Sequence, residues 1–210
     1  MSGRKRATRA AGASSGGGSP GSPAAAWRRL TREIERCTRC PLHRTRAHVV
    51  VYRGSLTPRV VFVGEAPGAE EDRTGVPFVG RSGRRLDAAI ATLGLAPSEF
   101  GVLNLVKCRP PGNRFDRRAE RTCRPYLDRQ LALLRPRLLV TLGAHSLRAI
   151  DPDAPPVLRS AGAVRPDHAP PVFPLLHPAA TLRSRAWHER WERDVARLGR
   201  CLSGELAQPV

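Results

Sequence analysis

Read by polarity alone, the chain divides into short continuous apolar runs and longer stretches where apolar residues recur every three or four positions. Four runs are nearly all apolar. They are Val60–Val63 before Gly64, Gly101–Val106 before Lys107-Cys108, Leu138–Leu142 before Gly143, and Val172–Leu176 before His177. Runs this short, without alternation, predict strands covered on both faces, as in a parallel sheet. Pro174 lacks a backbone donor, which predicts an edge position or a shortened strand for the fourth run. Helical periods lie between and around them. One runs from about Ala25 to Arg36, with Trp27, Leu30 and Ile34 on one face, and ends at a C-x-x-C pair and Pro41. Others cover 82–93 (Leu86, Ile90, Leu93), 116–134 (Ala119, Cys123, Leu127, Leu131, Leu134) and 181–202 (Trp187, Trp191, Val195, Leu198, Leu202). These stripes are core faces, and the two tryptophans are assigned to packing. Strand and helix alternate without an internal repeat. The prediction is an α/β chain: a three-layer α/β/α sandwich around a four-stranded, mainly parallel sheet.

Residues 1–24 hold Gly, Ser, Ala, Pro and Arg with almost nothing to bury, which predicts a disordered basic arm ahead of one domain over residues 25–205. At 210 residues the chain suffices for one such domain with a tail. No apolar run approaches the length of a membrane span, so no membrane partner is expected. The N-terminus carries Arg4, Lys5, Arg6 and Arg9 without a continuous apolar stretch, which argues against a secretory signal and for the cytoplasm. A monomer is expected. Formal charge is +18. Residues 1–26 hold four basic and no acidic side chains, so residues 27–210 keep 32 basic against 18 acidic, or +14. The excess therefore belongs to the folded part, and a phosphate-rich partner, hence nucleic acid, is favoured.

Four of the five cysteines form a group: Cys37-x2-Cys40, then Cys108, then Cys123. A C-x-x-C pair with two distant cysteines is metal-ligand spacing, because x2 lets both thiolates reach one centre from a single turn. Disulfides are disfavoured by the low cysteine count. Zinc and an iron–sulfur cluster both remain, since spacing alone does not choose between them. Cys201 reads as a buried thiol in the last helix.

In an open parallel sheet, ligands bind beyond the carboxyl ends of the strands. Three of the four predicted ends carry unusual chemistry. The first gives Gly64-Glu65-Ala66-Pro67-Gly68, then Glu70-Glu71-Asp72 and Pro77-Phe78-Val79-Gly80-Arg81-Ser82-Gly83. The second gives Asn104-Leu105-Val106-Lys107-Cys108-Arg109-Pro110-Pro111, and the fourth His177-Pro178-Ala179-Ala180-Thr181-Leu182-Arg183. With these four segments in order and cysteines at matching spacing, the chain resembles the family-4, iron–sulfur type of uracil-DNA glycosylase from about Cys37 to Leu202. The resemblance implies a [4Fe–4S] cluster on Cys37, Cys40, Cys108 and Cys123, uracil-containing DNA (double- or single-stranded) as partner, and excision by base flipping and hydrolysis.

The same resemblance implies the site residues. His177 would donate to uracil O2, where charge gathers as the glycosidic bond breaks. Asn104 would read the base, accepting from N3–H and donating to O4, both inverted in cytosine. Phe78 would stack on the flipped base. Leu182 and Arg183 would enter the DNA minor groove as a wedge. Where the best-known glycosylases of the superfamily carry a water-positioning Asp, this chain has Ala66. Either Glu65 helps indirectly, or backbone groups around Ala66 hold the water. Glu71 and Asp72 read as a solvated loop, and Lys107 as a phosphate contact or local support. GEAPG differs from the GEQPG of a related type that cross-links to DNA, and no Arg-rich insertion follows Asn113. Glu65 argues against family 5, which has an apolar residue there. The rival reading is a non-catalytic iron–sulfur DNA-binding module on the same fold, for which Asn104, Phe78 and His177 together would be superfluous.

Overall fold

The structure, a computed structural model, describes residues 22–204. Its sheet has five strands, one more than the apolar runs predict: β1 (Arg53–Gly54), β2 (Val60–Gly64), β3 (Phe100–Asn104), β4 (Leu138–Leu142) and β5 (Val172–Leu175). They lie in the order β1-β3-β2-β4-β5. The four long strands are parallel, with Val61 opposite both Gly101 and Leu139, while β1 runs antiparallel to β3. The extra strand has two residues, too few to show a period. It meets β3 at Gly101, where any side chain would collide with the Tyr52 hydroxyl, 1.9 Å from an added Cβ. β5 is the far edge, as Pro174 requires. β3 ends two residues earlier than predicted. Leu105 and Val106 instead donate from their backbone N–H to Gly64 O and Glu65 O, both at 3.0 Å, and so tie down the corner after β2.

Helices cover both faces. Even-numbered residues of β2 face α3 (Arg81–Thr92) and α8 (Arg185–Leu202), giving a core of Val60, Phe62, Leu86, Ile90, Trp191, Val195 and Leu198. Odd-numbered ones face α4 (Arg117–Leu134) and α5 (Ala144–Ile150), with Val61, Val63, Leu127, Leu139, Leu147 and Ile150. Burying each such side chain contributes about 1.5–3 kcal/mol, so both faces of the sheet are needed. α1 (Pro23–Glu35) lies outside α4, joined through Leu30, Ile34 and Tyr126. Ser22 caps it, accepting from Ala25 N at 3.2 Å, and Pro23 opens it. The last residues of the predicted arm are thus cap and first turn; residues 1–21 lie outside the described residues.

The helices also depart from the prediction. A six-residue helix, α2 (Ala69–Thr74), occupies the acid run. The helix predicted over 181–202 is two, α7 (Pro178–Thr181) and α8, because Ser184 caps α8 by accepting from Trp187 N at 3.4 Å. Leu182 and Arg183 form the turn between them. α5 and α6 (Val157–Ser160) are too short to show a stripe. Among the described residues no helix is long and apolar enough to cross a membrane.

Candidate active site and cysteine cage

The carboxyl ends of β2, β3, β4 and β5 lie at one edge of the sheet, and a cleft of about 920 Å³ opens there. That is near the upper end of small-molecule sites (about 300–1,000 Å³), room for a nucleotide with its backbone. Glu65, Ala66, Phe78, Asn104, His177, Leu182 and Arg183 all line it, so the structure brings together every predicted site residue outside the cysteines.

Asn104 ends β3 and is 1 % exposed. Its Oδ1 is buried without a hydrogen-bond partner. An orphaned buried acceptor costs about 1–3 kcal/mol, a penalty that a donor on a ligand would relieve. Gly64 makes the space. A Cβ there would sit 2.4 Å from Asn104 Oδ1 and 2.5 Å from the Phe78 ring. Phe78 adopts a left-handed backbone (φ 56°), unusual for an aromatic residue, and Gly83 accommodates it, since a Cβ at 83 would lie 2.0 Å from Phe78 O. The ring is both core and wall: it packs with the α3 side and also lines the cleft.

His177 is the N-cap of α7. Its Nδ1 accepts from Ala179 N at 3.2 Å, which leaves the ring proton on Nε2. Burial, and the nearby Arg183 guanidinium, push its pKa down to about 4, so the imidazole is neutral at pH 7. Its ring centroid lies 6.1 Å from that of Phe78. Gly143, with φ 97°, passes close behind; a Cβ there would be 3.0 Å from His177 Cβ.

The acid run corrects the sequence reading. Glu71 and Asp72 are not solvated but 9 % and 8 % exposed. The Glu71 carboxylate accepts from the backbone N–H of Gly68 (3.1 Å), Val79 (2.9 Å) and Gly80 (2.8 Å), locking the corner after β2 to the Phe78 loop. Asp72 accepts from Ala47 N at 3.1 Å. Glu70 is the exposed member, paired with Arg73 at 3.0 Å. Burial pushes the Glu65 carboxyl up, His145 pulls it down and Glu120 pushes it up again. Leu182 is 52 % exposed on the rim, beside Arg183, Arg81 and Arg84. Sequence reasoning missed Glu71, Asn113, whose segment also lines the cleft, and His145 at the end of β4. Only Glu71, three residues after Gly68, left a signal, in its capping spacing.

Behind Asn104 the chain runs into a second site. Cys37, Cys40, Cys108 and Cys123 border one enclosed space, with Ile34, Tyr126 and Lys107. Arg46 Nη1 donates to Cys108 Sγ at 3.2 Å and to Cys37 O at 2.8 Å. Lys107 is 1 % exposed and donates from Nζ to Asn104 O at 2.5 Å, so it supports this site and makes no phosphate contact. Burial pushes its pKa down to about 8, and the neighbouring sulfurs of Cys123 and Cys108 pull it back up. Among the described residues, no three His, Cys, Asp or Glu side chains meet as they would around a single ion. Cys201 is buried far along α8.

The family model of the uracil DNA glycosylase superfamily matches residues 51–197. A type-4 uracil-DNA glycosylase of Thermotoga maritima is 38% identical over 160 residues, covering 75% of this chain and 83% of the relative. One of Archaeoglobus fulgidus is 37% identical over 179 residues, covering 81% and 90%. The chain belongs to the type-4 uracil-DNA glycosylases. A type-5 uracil-DNA glycosylase of Pyrobaculum aerophilum is 35% identical over a shorter span, 46% of this chain and 50% of the relative. As a type-4 chain, the protein carries four thiols and two cations, Arg46 and Lys107, around one space. The donor chemistry suits an iron–sulfur cluster, whose thiolate ligands bring negative charge that a buried ammonium requires.

Proposed function

We propose that the protein is a monofunctional glycosylase that flips deoxyuridine out of DNA and hydrolyses its N-glycosidic bond, the first step of base excision repair. Asn104 carries the reading: its orphaned Oδ1 sits in the cleft with Phe78 and His177. Uracil N3–H donates to Oδ1 while Asn104 Nδ2 donates to O4; cytosine presents an acceptor and a donor at those places and leaves both unmatched. Phe78 stacks on the base. His177 donates from Nε2 to O2, where negative charge gathers as the bond to C1′ breaks. A fixed neutral donor in a dry site is worth about 10²–10³ in rate.

Water must then add to C1′ and lose a proton. Of the acids in the cleft, Glu71 is occupied by three N–H groups and Glu70 is exposed and paired with Arg73. Glu65 is the remaining carboxylate, next to Ala66 where a side-chain base is missing, and we assign the water to it. Leu182 and Arg183 on the rim serve together as the wedge beside the extruded base.

We further assign a [4Fe–4S] cluster to Cys37, Cys40, Cys108 and Cys123. Its support is the type-4 family of the chain together with four thiols that border one enclosed space. When bound, the cluster supplies a rigid crosslink among the end of α1, the segment after β3 and α4; hydrolysis needs no electron from it. The protein acts as a monomer, in the cytoplasm, on double- or single-stranded DNA.

The test is to incubate the protein with a uracil-containing oligonucleotide, treat with alkali and separate the strands. Cleavage at the uracil, and none at cytosine or thymine in its place, is expected. Specific binding without cleavage would sink the enzymatic reading in favour of a DNA-binding module.

A further inference from the structure

β4 lies between β2 and β5, so the corner after β4 falls between the one bearing Glu65 and the one bearing His177. It is the one long-strand end with no part in the reaction described above. Gly143 opens it with φ 97° against His177, and two residues on comes His145, in the first turn of α5. The imidazole Nε2 is 4.0 Å from Glu65 Oε2. The ring stacks on Phe115, with centroids 3.8 Å apart and planes 19° apart, so its orientation is held from the segment that leads into α4. Its side chain is 43% exposed and Glu65's is 29% exposed, so the imidazole can exchange protons with solvent while facing a more enclosed carboxylate.

We propose that His145 is a positioning residue for Glu65, holding that carboxylate ionised and oriented at the edge of the cleft. The inference rests on the assignment of the attacking water to Glu65. The charged groups that act on Glu65 are His145, from the β4 corner, and Glu120, from α4, which opposes it. An imidazolium favours the carboxylate and so extends the active range of Glu65 toward acid. Without it, burial and Glu120 both favour the protonated acid, which cannot accept a proton from water. The stack on Phe115 keeps the ring from turning away while the cleft is empty. It thereby lowers the ordering needed when DNA binds.

The experiment is the single-turnover excision rate on a uracil oligonucleotide from about pH 5 to pH 8, a span chosen to bracket carboxyl and imidazole titration. It compares wild type, His145→Ala, His145→Lys and Glu65→Gln. His145→Ala should move the acid limb upward by about one pH unit, the lower end for a cation about 4 Å away. That is roughly tenfold slower excision at the acid end. It should converge with wild type at the alkaline end, where Glu65 is ionised with or without a neighbouring cation. His145→Lys keeps a cation on a flexible stem and should bring the limb back. Thermal melting should match wild type in both, since the side chain is half-exposed. An unmoved limb in His145→Ala, or a limb equally displaced in His145→Lys, overturns the proposal. Glu65→Gln separates the two layers. If it excises at the wild-type rate, the assignment of Glu65 itself has failed; if it is slow while His145→Ala keeps the wild-type limb, only the role of His145 has failed.

Discussion

Asn104 and Cys108 are four residues apart, and their surroundings differ in kind. Around Asn104 the cleft is open, its walls are strand ends, loops and the first turns of helices, and a buried carbonyl oxygen has no partner. Around Cys108 the space is enclosed and the polar groups are engaged. Arg46 reaches Cys108 Sγ, Cys37 O and Glu35 O, while His43 Nδ1 pairs with Cys40 O at 2.7 Å. The Arg39 guanidinium lies 4.0 Å over the Tyr126 ring. Unmet hydrogen-bonding capacity marks the place where a transient ligand completes the structure, and saturated capacity marks a permanent part of it. Lys107 joins the two, with its stem among the thiols and its ammonium on the Asn104 carbonyl. On the proposed reading, the base reader would be held from behind by a site that takes no part in the hydrolysis.

The contrast breaks most sharply at Asn104. Asn104→Asp replaces the donor to O4 with a carboxylate that repels the departing uracil anion, and Asn104→Ala removes both contacts. Each should slow excision by roughly 10³-fold or more while melting and visible absorbance stay at wild-type values. Near-normal activity in both would remove Asn104 from the role of base reader.

Next come the thiols. Alanine at Cys37, Cys40, Cys108 or Cys123 should abolish the brown colour, the broad absorbance near about 400 nm and the content of about four irons per chain. Cys201→Ala should leave all three intact, since Cys201 lies on α8, among the residues packed on the other face of the sheet. A colourless wild-type protein holding one zinc would reject the cluster.

The same difference decides what could be read from sequence. The four long strands and the helix stripes on α1, α3, α4 and α8 follow from local polarity, and the cleft residues follow from motifs near the strand ends; where β3 stops does not, because Leu105 and Val106 are apolar yet leave the strand to bond Gly64 O and Glu65 O. β1 does not, because two residues carry no period. The buried Glu71 does not, because what makes burial tolerable is three N–H groups arriving from Gly68, Val79 and Gly80. A carboxylate in a polar run looks solvated until those donors are seen. The break between α7 and α8 turns on one serine hydroxyl at Ser184, within a pattern that would also suit a single helix. His145 was equally silent, since its meaning lies in Glu65 and Phe115, far away in the chain.

A smaller effect separates the two regions by pH. His177 has its pKa depressed to about 4 in the folded state, against an ordinary value near 6.5. The unfolded chain therefore takes up this proton first as pH falls, and the native state loses stability between about 6.5 and 4. Above that window the contribution is fully present. His177→Gln should flatten this part of the stability–pH curve, followed by denaturant unfolding, and should also slow excision by about 10²-fold at neutral pH. An unchanged curve would mean that His177 titrates as an exposed histidine does.

The smallest effect is expected on the rim, where Leu182 and Arg183 form the turn between α7 and α8. A wedge is needed only where a base must be displaced from a stack, so Arg183→Ala should slow excision from duplex more than from single strands, by about threefold to tenfold more, a share of the few kcal/mol of unstacking. Arg183 also lies close enough to His177 to press its pKa down. Its loss lets that pKa rise toward the ordinary value without reaching neutral pH, so the imidazole stays uncharged and the chemical step at pH 7 should hardly change. Two substrates therefore distinguish the roles. Slowing confined to the duplex is the mark of a wedge. Equal slowing on both, with a shallower fall of affinity with salt, would make Arg183 one more phosphate contact among the basic side chains that give residues 27–210 their +14.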